Sequence, residues 1–578
     1  MHDLVIRNGV LVDGTGAPPR RADVAVDAGL VTQVGEVAAK GRREIDAAGL
    51  IVTPGWVDIH THYDGQATWD AYLSPSCWHG VTTVVMGNCG VGFAPARPDR
   101  HDWLIGLMES VEDIPGAALA EGIKWDWETF PEYMDSLERK PRVLDIATQA
   151  PHGAIRAYVM GERGARNEMA TPEDIVEMAK ITREAVEAGA LGFSTSRTQL
   201  HRAKDGEAMP GTFAGADEMI GIGEALGLAG HGVFEMASDM AMPEDEFAWM
   251  KAFATKTGLP VTFGLLQSPG APDKWRDMLK LTEEARAEGA QITAQIACRP
   301  TGMVLGWQST VHPFVRKGAY RAIAHLPFAE RLVHLKDPAV REAILSEDAP
   351  PPPGIGAILT HGFKTMFRLE RNGQLDYEPR AEDSIAAEAE RAGCKPDEIV
   401  YDMLMENDGR GYIYLPLLNY AQFNFDHIAE MMHHPATILS LSDGGAHCGV
   451  ICDASFPTYM LTHWVRDRAR GERLSLEKVV SMQTRDTAKL YGLNDRGVVA
   501  PGMKADLNII DFEALSIRAP EMVFDLPADG RRLVQRADGY RATVVSGVVT
   551  FENGEATGDL PGKLIRGPQA SPVAMAAE

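Results

Sequence analysis

Cysteine is scarce in this chain, with six among 578 residues. Six thiols at this length make no disulfide framework, so a reducing, cytoplasmic setting is expected. Basic residues are also in short supply. Lys and Arg number 56 against 81 Asp and Glu, a formal net charge of −25. Phosphate backbones and anionic membranes need a basic patch, which argues against both as partners. No run of about 18 apolar residues occurs, so no transmembrane helix is predicted. The chain opens Met1-His-Asp-Leu-Val-Ile-Arg and enters a strand at once, with nothing resembling a secretory leader. No internal repeat is found. What remains is an ordinary soluble composition, 45% hydrophobic and 24% charged. The length suits two to four domains, or one large barrel with an accessory domain.

Residues 1–54 look all-β. Leu4 to Asp13 reads as a hairpin turning at Asn8-Gly9, and Ala22 to Val34 as a second turning near Ala28-Gly29. Strands this short cannot bury their apolar faces alone. Similar short strands return near Val498–Asp511 and Arg541–Phe551. The two chain ends, 1–54 and 496–557, are therefore expected to build one small β-sandwich. Residues 55–495 alternate strand-like and helical runs, the pattern of βα units on a parallel sheet. Eight strands are predicted, at 52–59, 81–86, 144–149, 190–195, 227–234, 260–266, 290–297 and 437–442, and eight units suggest a closed barrel. Thr171 followed by Pro172 predicts a helix N-terminus. Insertions are expected at 97–140 and 310–435, as lids or oligomer contacts. The tail, 558–578, is expected to be loose or weakly held.

In parallel barrels the reactive groups sit where strands end. The first strand ends in His60 and His62. Their spacing of two puts both rings on one face, where neutral imidazoles suit a divalent metal. Asp58 and Asp64 flank them and are candidates to orient the rings. The second strand ends in Cys89 among glycines, either a small buried hydrophobe or a metal thiolate. His152 closes the third strand, and Arg197 follows the fourth. His231 sits in the fifth as a candidate ligand. The sixth offers only Gln267. Arg299 follows the seventh, either as an anion-binding group or in a structural ion pair. The eighth ends in Asp443 and two glycines, with His447 beyond. A carboxylate there can touch a metal and take a proton from water, or it can cap the next helix.

The segments PGWVDIHTHYD, GVTTVVMGNCG and SDGGAH, with LSLEKVVSMQTRDTAKLYGLNDRGVVAPGMKADLNIID near the end, together resemble the amidohydrolase superfamily, and within it the D-aminoacylase (N-acyl-D-amino-acid deacylase) branch. The resemblance covers nearly the whole chain. It implies an α/β fold, a distorted (β/α)8 TIM-type barrel with a β-sandwich built from both termini. It also implies one or two zinc ions, held by His60, His62, Cys89, His231 and Asp443, with Asp443 as general acid/base. The family's strand-six histidine has no counterpart: Leu265, Leu266 and Gln267 stand there. The expected activity is zinc-dependent hydrolysis of a non-peptide C–N amide bond in an N-acyl (D-)amino acid or a similar small molecule. His152, Arg197, Arg299 and His447 are the candidates for substrate contact. Two alternatives stay open, a hydrolase of a cyclic amide, imide or arylamide, and a metal-poor relative without activity. Oligomeric state is left open.

Overall fold

The computed structural model describes residues 1–572. Eight parallel strands carry its centre. They are β1 (Trp56–Asp58), β2 (Val81–Met86), β3 (Asp145–Thr148, continued by Ala150–Pro151), β4 (Gly192–Arg197), β5 (Val233–Ser238), β6 (Val261–Gly264), β7 (Ile292–Ile296) and β8 (Thr437–Leu439). β1, β2 and β3 form one ladder, and Ala150–Pro151 through β8 form a second in chain order. Leu191 N–H donates to Thr148 O where the ladders adjoin, and Thr61 bridges Gly444 just beyond β1 and β8. Val57, Ile59, Val85, Ala147, Leu191, Val233 and Ile438 pack together between them, with Tyr491, Leu493 and Ile565 completing the cluster. The helices are amphipathic and cover the outside. Pro172–Glu187 starts as predicted, with the Thr171 hydroxyl accepting from Asp174 N–H and the Asp174 carboxylate accepting from Thr171 N–H.

The predicted first strand divides at Pro54-Gly55. Ile51–Pro54 belongs to a different sheet from Trp56–Asp58. A Cβ at Gly55 would stand 2.2 Å from Thr82 Oγ1, so only glycine passes here. The fifth strand also departs from its prediction. The preceding helix runs Ala216–Ala229 and is capped by Gly230 in the left-handed region (φ 80°), so β5 begins only at Val233.

Strands from both chain ends join one nine-stranded sheet. Its joint is the antiparallel pairing of Ile51–Pro54 with Leu507–Ile510, which sets Val52 opposite Ile509. Leu4, Ile6, Val24, Val26, Val52, Leu507, Ile509 and Val544 form a buried cluster on it. Each such side chain contributes about 1.5–3 kcal/mol on leaving water. His2–Leu11 is one strand rather than a hairpin. Asn8 (φ 63°) is a bulge where the register shifts, and its N–H goes to Asp23 Oδ1. Ala28-Gly29 does turn the chain, between Arg20–Asp27 and Leu30–Gly35.

Both insertions are folded. Residues 97–140 supply the helices His101–Val111, Gly116–Gly122 and Phe130–Glu138. The Tyr133 hydroxyl donates to Asp64 O at 2.8 Å, which ties them to the end of β1. Residues 310–435 form a hydrophobic cluster around Phe314, Tyr401 and Leu404, joined by Leu305 and Trp307 from just before the insertion and by Val450 and Ile451 from beyond β8. The tail is not loose as far as it is described. Leu564 bridges Ile146, Gln569 bridges Leu493, and Ile565 is buried. Residues 573–578 lie outside the described part. No helix of the described residues is long and apolar enough to cross a membrane.

One ion cluster joins these parts. Asp145, buried at the start of β3, takes Arg496 Nη1 at 2.7 Å, Lys504 Nζ at 3.0 Å and the N–H of Lys563 at 2.8 Å. Burial alone would raise its pKa, but Lys504 and Arg496 outweigh that and hold it at about 2. The folded value lies below the unfolded one, so this stabilisation is complete above about pH 4 and fades as pH falls through about 2. Asp145→Asn is expected to lower stability by about 3 kcal/mol at pH 7. In denaturant titrations the deficit should shrink towards pH 2. A deficit that is constant with pH would contradict the assignment.

Candidate metal centre

Beyond β1 the chain stays extended, and His60 and His62 project to one side. Thr61 between them is pinned by its N–H to Val85 O at 3.1 Å, and His62 N–H donates to Gly444 O at 2.8 Å. The segment after β8 therefore lies directly on the one after β1. Gly444-Gly445 makes this approach possible. A Cβ at Gly445 (φ 93°) would meet Tyr63 Cδ1 at 2.8 Å and the His62 carbonyl carbon at 3.0 Å. Asp443 itself sits at φ 48° and Cys89 at φ 56°, left-handed conformations that cost non-glycine residues about 1–2 kcal/mol. Gly90 lets the Cys89 loop close on β4, for a Cβ there would stand 2.8 Å from Thr195 Cα.

The result is a tight donor cluster. His60, His62 and Cys89 each offer a ligand atom, all within 4.8 Å of one another and all buried. Cys89 Sγ is 3.3 Å from His60 Nε2, and Asp443 Oδ1 is 3.5 Å from the Nε2 of both His60 and His62. Atoms held about 2.0–2.3 Å from a tetrahedral zinc stand about 3.3–3.7 Å apart, which the His60–Cys89, His60–Asp443 and His62–Asp443 separations match. His60 Nδ1 points to Gln295 Oε1 at 2.9 Å, which also accepts from Ser440. With that oxygen as acceptor, Nδ1 carries the proton and Nε2 turns its lone pair into the cluster.

The electrostatics ask for positive charge. Burial lowers His60 to about 4. Burial also lowers His62, but Glu112 and Asp443 outweigh it and raise His62 to about 9. Asp443 would be raised by burial, yet His62 and His60 hold it well below the usual carboxylate range. Burial and the neighbouring Glu235 push the Cys89 thiol up, so a cation at the cluster is what would keep it a thiolate.

Several predicted roles move. Asp58 and Asp64 hold backbone and a hydroxyl rather than the rings. Asp58 accepts the His60 N–H and the Ser442 hydroxyl, and Asp64 accepts the Gly87 N–H. His231 does not reach the cluster. It precedes β5 at the opposite end of the strands, where its ring lies 3.9 Å from a Cβ built on Gly567. Glu235, four residues on, is the group β5 sends into the site. It is fully buried, accepts the Cys89 N–H at 2.8 Å, and is raised by burial to about 8. Its signal in the sequence was a lone acid inside an apolar strand. Gln267 is locked, its side-chain oxygen accepting Ala421 N–H and its own N–H going to Asn419 Oδ1.

The substrate candidates divide. His152 is buried with both ring nitrogens engaged, by Thr195 at 2.8 Å and Glu218 at 3.0 Å. Arg197 is committed to Glu246 and Ala214 O. Arg299 is buried against Asp453 at 2.9 Å and lies over the Tyr377 ring. His152 and Arg197 are thus committed to other residues, whereas Arg299 keeps Nε and Nη1 without hydrogen-bond partners among the described residues. His447 lies beside the cluster, with Nε2 3.7 Å from Glu112 and a quarter of the side chain exposed. His201, missed in the sequence, stands near His447, His62 and Asp443, with Nδ1 bonded to Ser196.

The fold thus brings two histidines after β1 and an aspartate after β8 to one point. The sequence matches the profile described as amidohydrolase family over residues 43–551, and the chain belongs to that family. Among curated relatives, an uncharacterized protein of Mycobacterium tuberculosis is 26% identical, covering 96% of this chain and 93% of its own. N-acyl-D-aspartate deacylase of Alcaligenes xylosoxydans xylosoxydans is 24% identical, covering 99% and 96%. Among solved structures, a D-aminoacylase superposes with a TM-score of 0.64 at 22% identity, covering 98% of this chain and 100% of that one. N-acyl-D-glutamate deacylase from Bordetella bronchiseptica, solved with zinc and a phosphonate inhibitor, gives the same TM-score and identity, covering 98% and 99%. The fold is thus of the TIM-barrel amidohydrolase type, and the protein is a hydrolase of carbon–nitrogen bonds other than peptide bonds.

The glycine contact yields a test. Gly445→Ala combines a left-handed backbone with a clash against His62, and is expected to cost about 2–3 kcal/mol and most of the activity. Gly16→Ala (φ 85°, nothing within 4 Å) should cost about 1 kcal/mol and leave activity intact. Denaturant midpoints and hydrolysis rates of the two variants check this.

Proposed function

We propose that the protein is a zinc-dependent amide hydrolase acting on an N-acyl D-amino acid or a closely similar N-acylated small molecule. The observation that carries this reading is Asp443 Oδ1 placed 3.5 Å from the Nε2 of both His60 and His62, with Cys89 Sγ 3.3 Å from His60 Nε2. Those four residues would hold the ion. Zinc bound there supplies Lewis acidity, which polarises an amide carbonyl and brings the pKa of a water towards about 7. Asp443 is held below the usual carboxylate range by His62 and His60, and its side chain is partly open to solvent. It takes the proton of the attacking water and delivers it to the leaving nitrogen. His447 lines the approach. The D-amino-acid part rests on the deacylase relatives, which match this chain over nearly their full length. The same reading treats the eight strands as a closed barrel over 55–495 and the two chain ends as a sandwich-type accessory domain. It places the ion at the cluster of His60, His62, Cys89 and Asp443.

Asp443→Asn should lower kcat by about 10³-fold while the melting midpoint stays within a few degrees of wild type. Hydrolysis at the wild-type rate would remove Asp443 from its role. A panel of N-acyl-D-amino acids, N-acyl-L-amino acids and cyclic imides, read by amine release, tests the substrate. Turnover of the cyclic imides alone would overturn the N-acyl reading.

A further inference from the structure

Glu112 has no part in the reaction as described, yet its placement is unusual. It follows the helix His101–Val111 in the 97–140 insertion and is 1% exposed. Neither of its carboxylate oxygens has a hydrogen-bond partner among the described residues. Oε1 lies 3.6 Å from His62 Nδ1, and Oε2 lies 3.7 Å from His447 Nε2. His62 Nδ1 is itself buried and unpartnered. A buried carboxylate and a buried ring nitrogen, both unsatisfied and facing each other just beyond hydrogen-bond range, are complementary. The backbone fixes the carboxylate in place. Glu112 N–H closes the helix on Met108 O, and Glu112 O accepts the N–H of His447. The helix end is thereby tied to the segment that carries Asp443.

His60 has an orienting partner in Gln295, whereas Glu112 is the only carboxylate among the described residues facing Nδ1 of His62 within 4 Å. We propose that Glu112 is the positioning residue of His62. It accepts the Nδ1–H, selects the tautomer that turns Nε2 towards the cation, and places a negative charge behind that ligand, which strengthens it as a donor. The insertion then completes the metal centre rather than only covering it. The inference rests on the metal reading above.

Metal-free full-length protein titrated with Co2+, with affinity read by chelator competition and geometry by the visible and near-ultraviolet spectrum, tests it. Glu112→Gln keeps an acceptor and loses the charge; Glu112→Met loses both. Binding is expected to weaken about 10-fold in the first and about 100-fold in the second, with an altered visible spectrum and an unchanged metal-free melting midpoint for Glu112→Gln. A purely structural residue would move the melting midpoint and leave the affinity and spectrum of the folded protein alone. Wild-type affinity and spectrum in Glu112→Gln overturn the proposal even if Glu112→Met fails to fold. A wild type that takes up no Co2+ overturns this proposal together with the metal reading.

Discussion

The hydrogen bond from His62 N–H to Gly444 O, with the glycine pair that permits it, is the contact on which the rest depends. Two chain segments some 380 residues apart must lie against each other so closely that no side chain fits between them. Only then does the carboxylate after β8 face the imidazoles after β1. Cost is concentrated here as well. Cys89, Leu441, Asp443 and His447 all take left-handed backbone conformations without being glycine. Strain of this kind persists where surrounding structure over-determines it, and it gathers at working sites.

Charge is the second constraint. Asp58, Asp64 and Glu235 are buried close to the pair of imidazoles, and burial raises the first two to about 7 and the third to about 8. Glu112 and Asp443 add to the same neighbourhood. Buried carboxylates gathered in this way stay ionised only where positive charge faces them, which the imidazoles supply in part and a bound cation would complete. The remainder of the chain holds that pocket rigid. The Asp145 cluster binds β3 to the segment entering the terminal sheet and to the tail. Tyr133 and Glu112 bring the 97–140 insertion to the end of β1.

Much of the fold could be read from the chain, because the apolar runs that become β2, β3, β6 and β7 carry period and length unambiguously. At the chain ends the strands are joined in one nine-stranded hydrogen-bonded sheet. At the site, His60, His62, Cys89 and Asp443 were visible because each closes an apolar run beside glycine or proline. His231 misled because the helix before β5 continues to Ala229, moving the strand onset by about six residues and bringing Glu235 inward instead. Glu112 left no trace: it sits at the end of an amphipathic helix, where an acid ordinarily faces water. His152, Arg197 and Arg299 were reasonable candidates by position. Their partners, Glu218, Glu246 and Asp453, are 49 to 154 residues away in sequence, and only the packed structure reveals them.

The most direct test is a crystal structure of the purified protein with anomalous diffraction measured on both sides of the zinc absorption edge. The account predicts an anomalous peak bounded by His60, His62, Cys89 and Asp443, with Glu112 behind His62. A zinc peak ligated by other residues, or His60, His62 and Asp443 turned away from a common point, would contradict it.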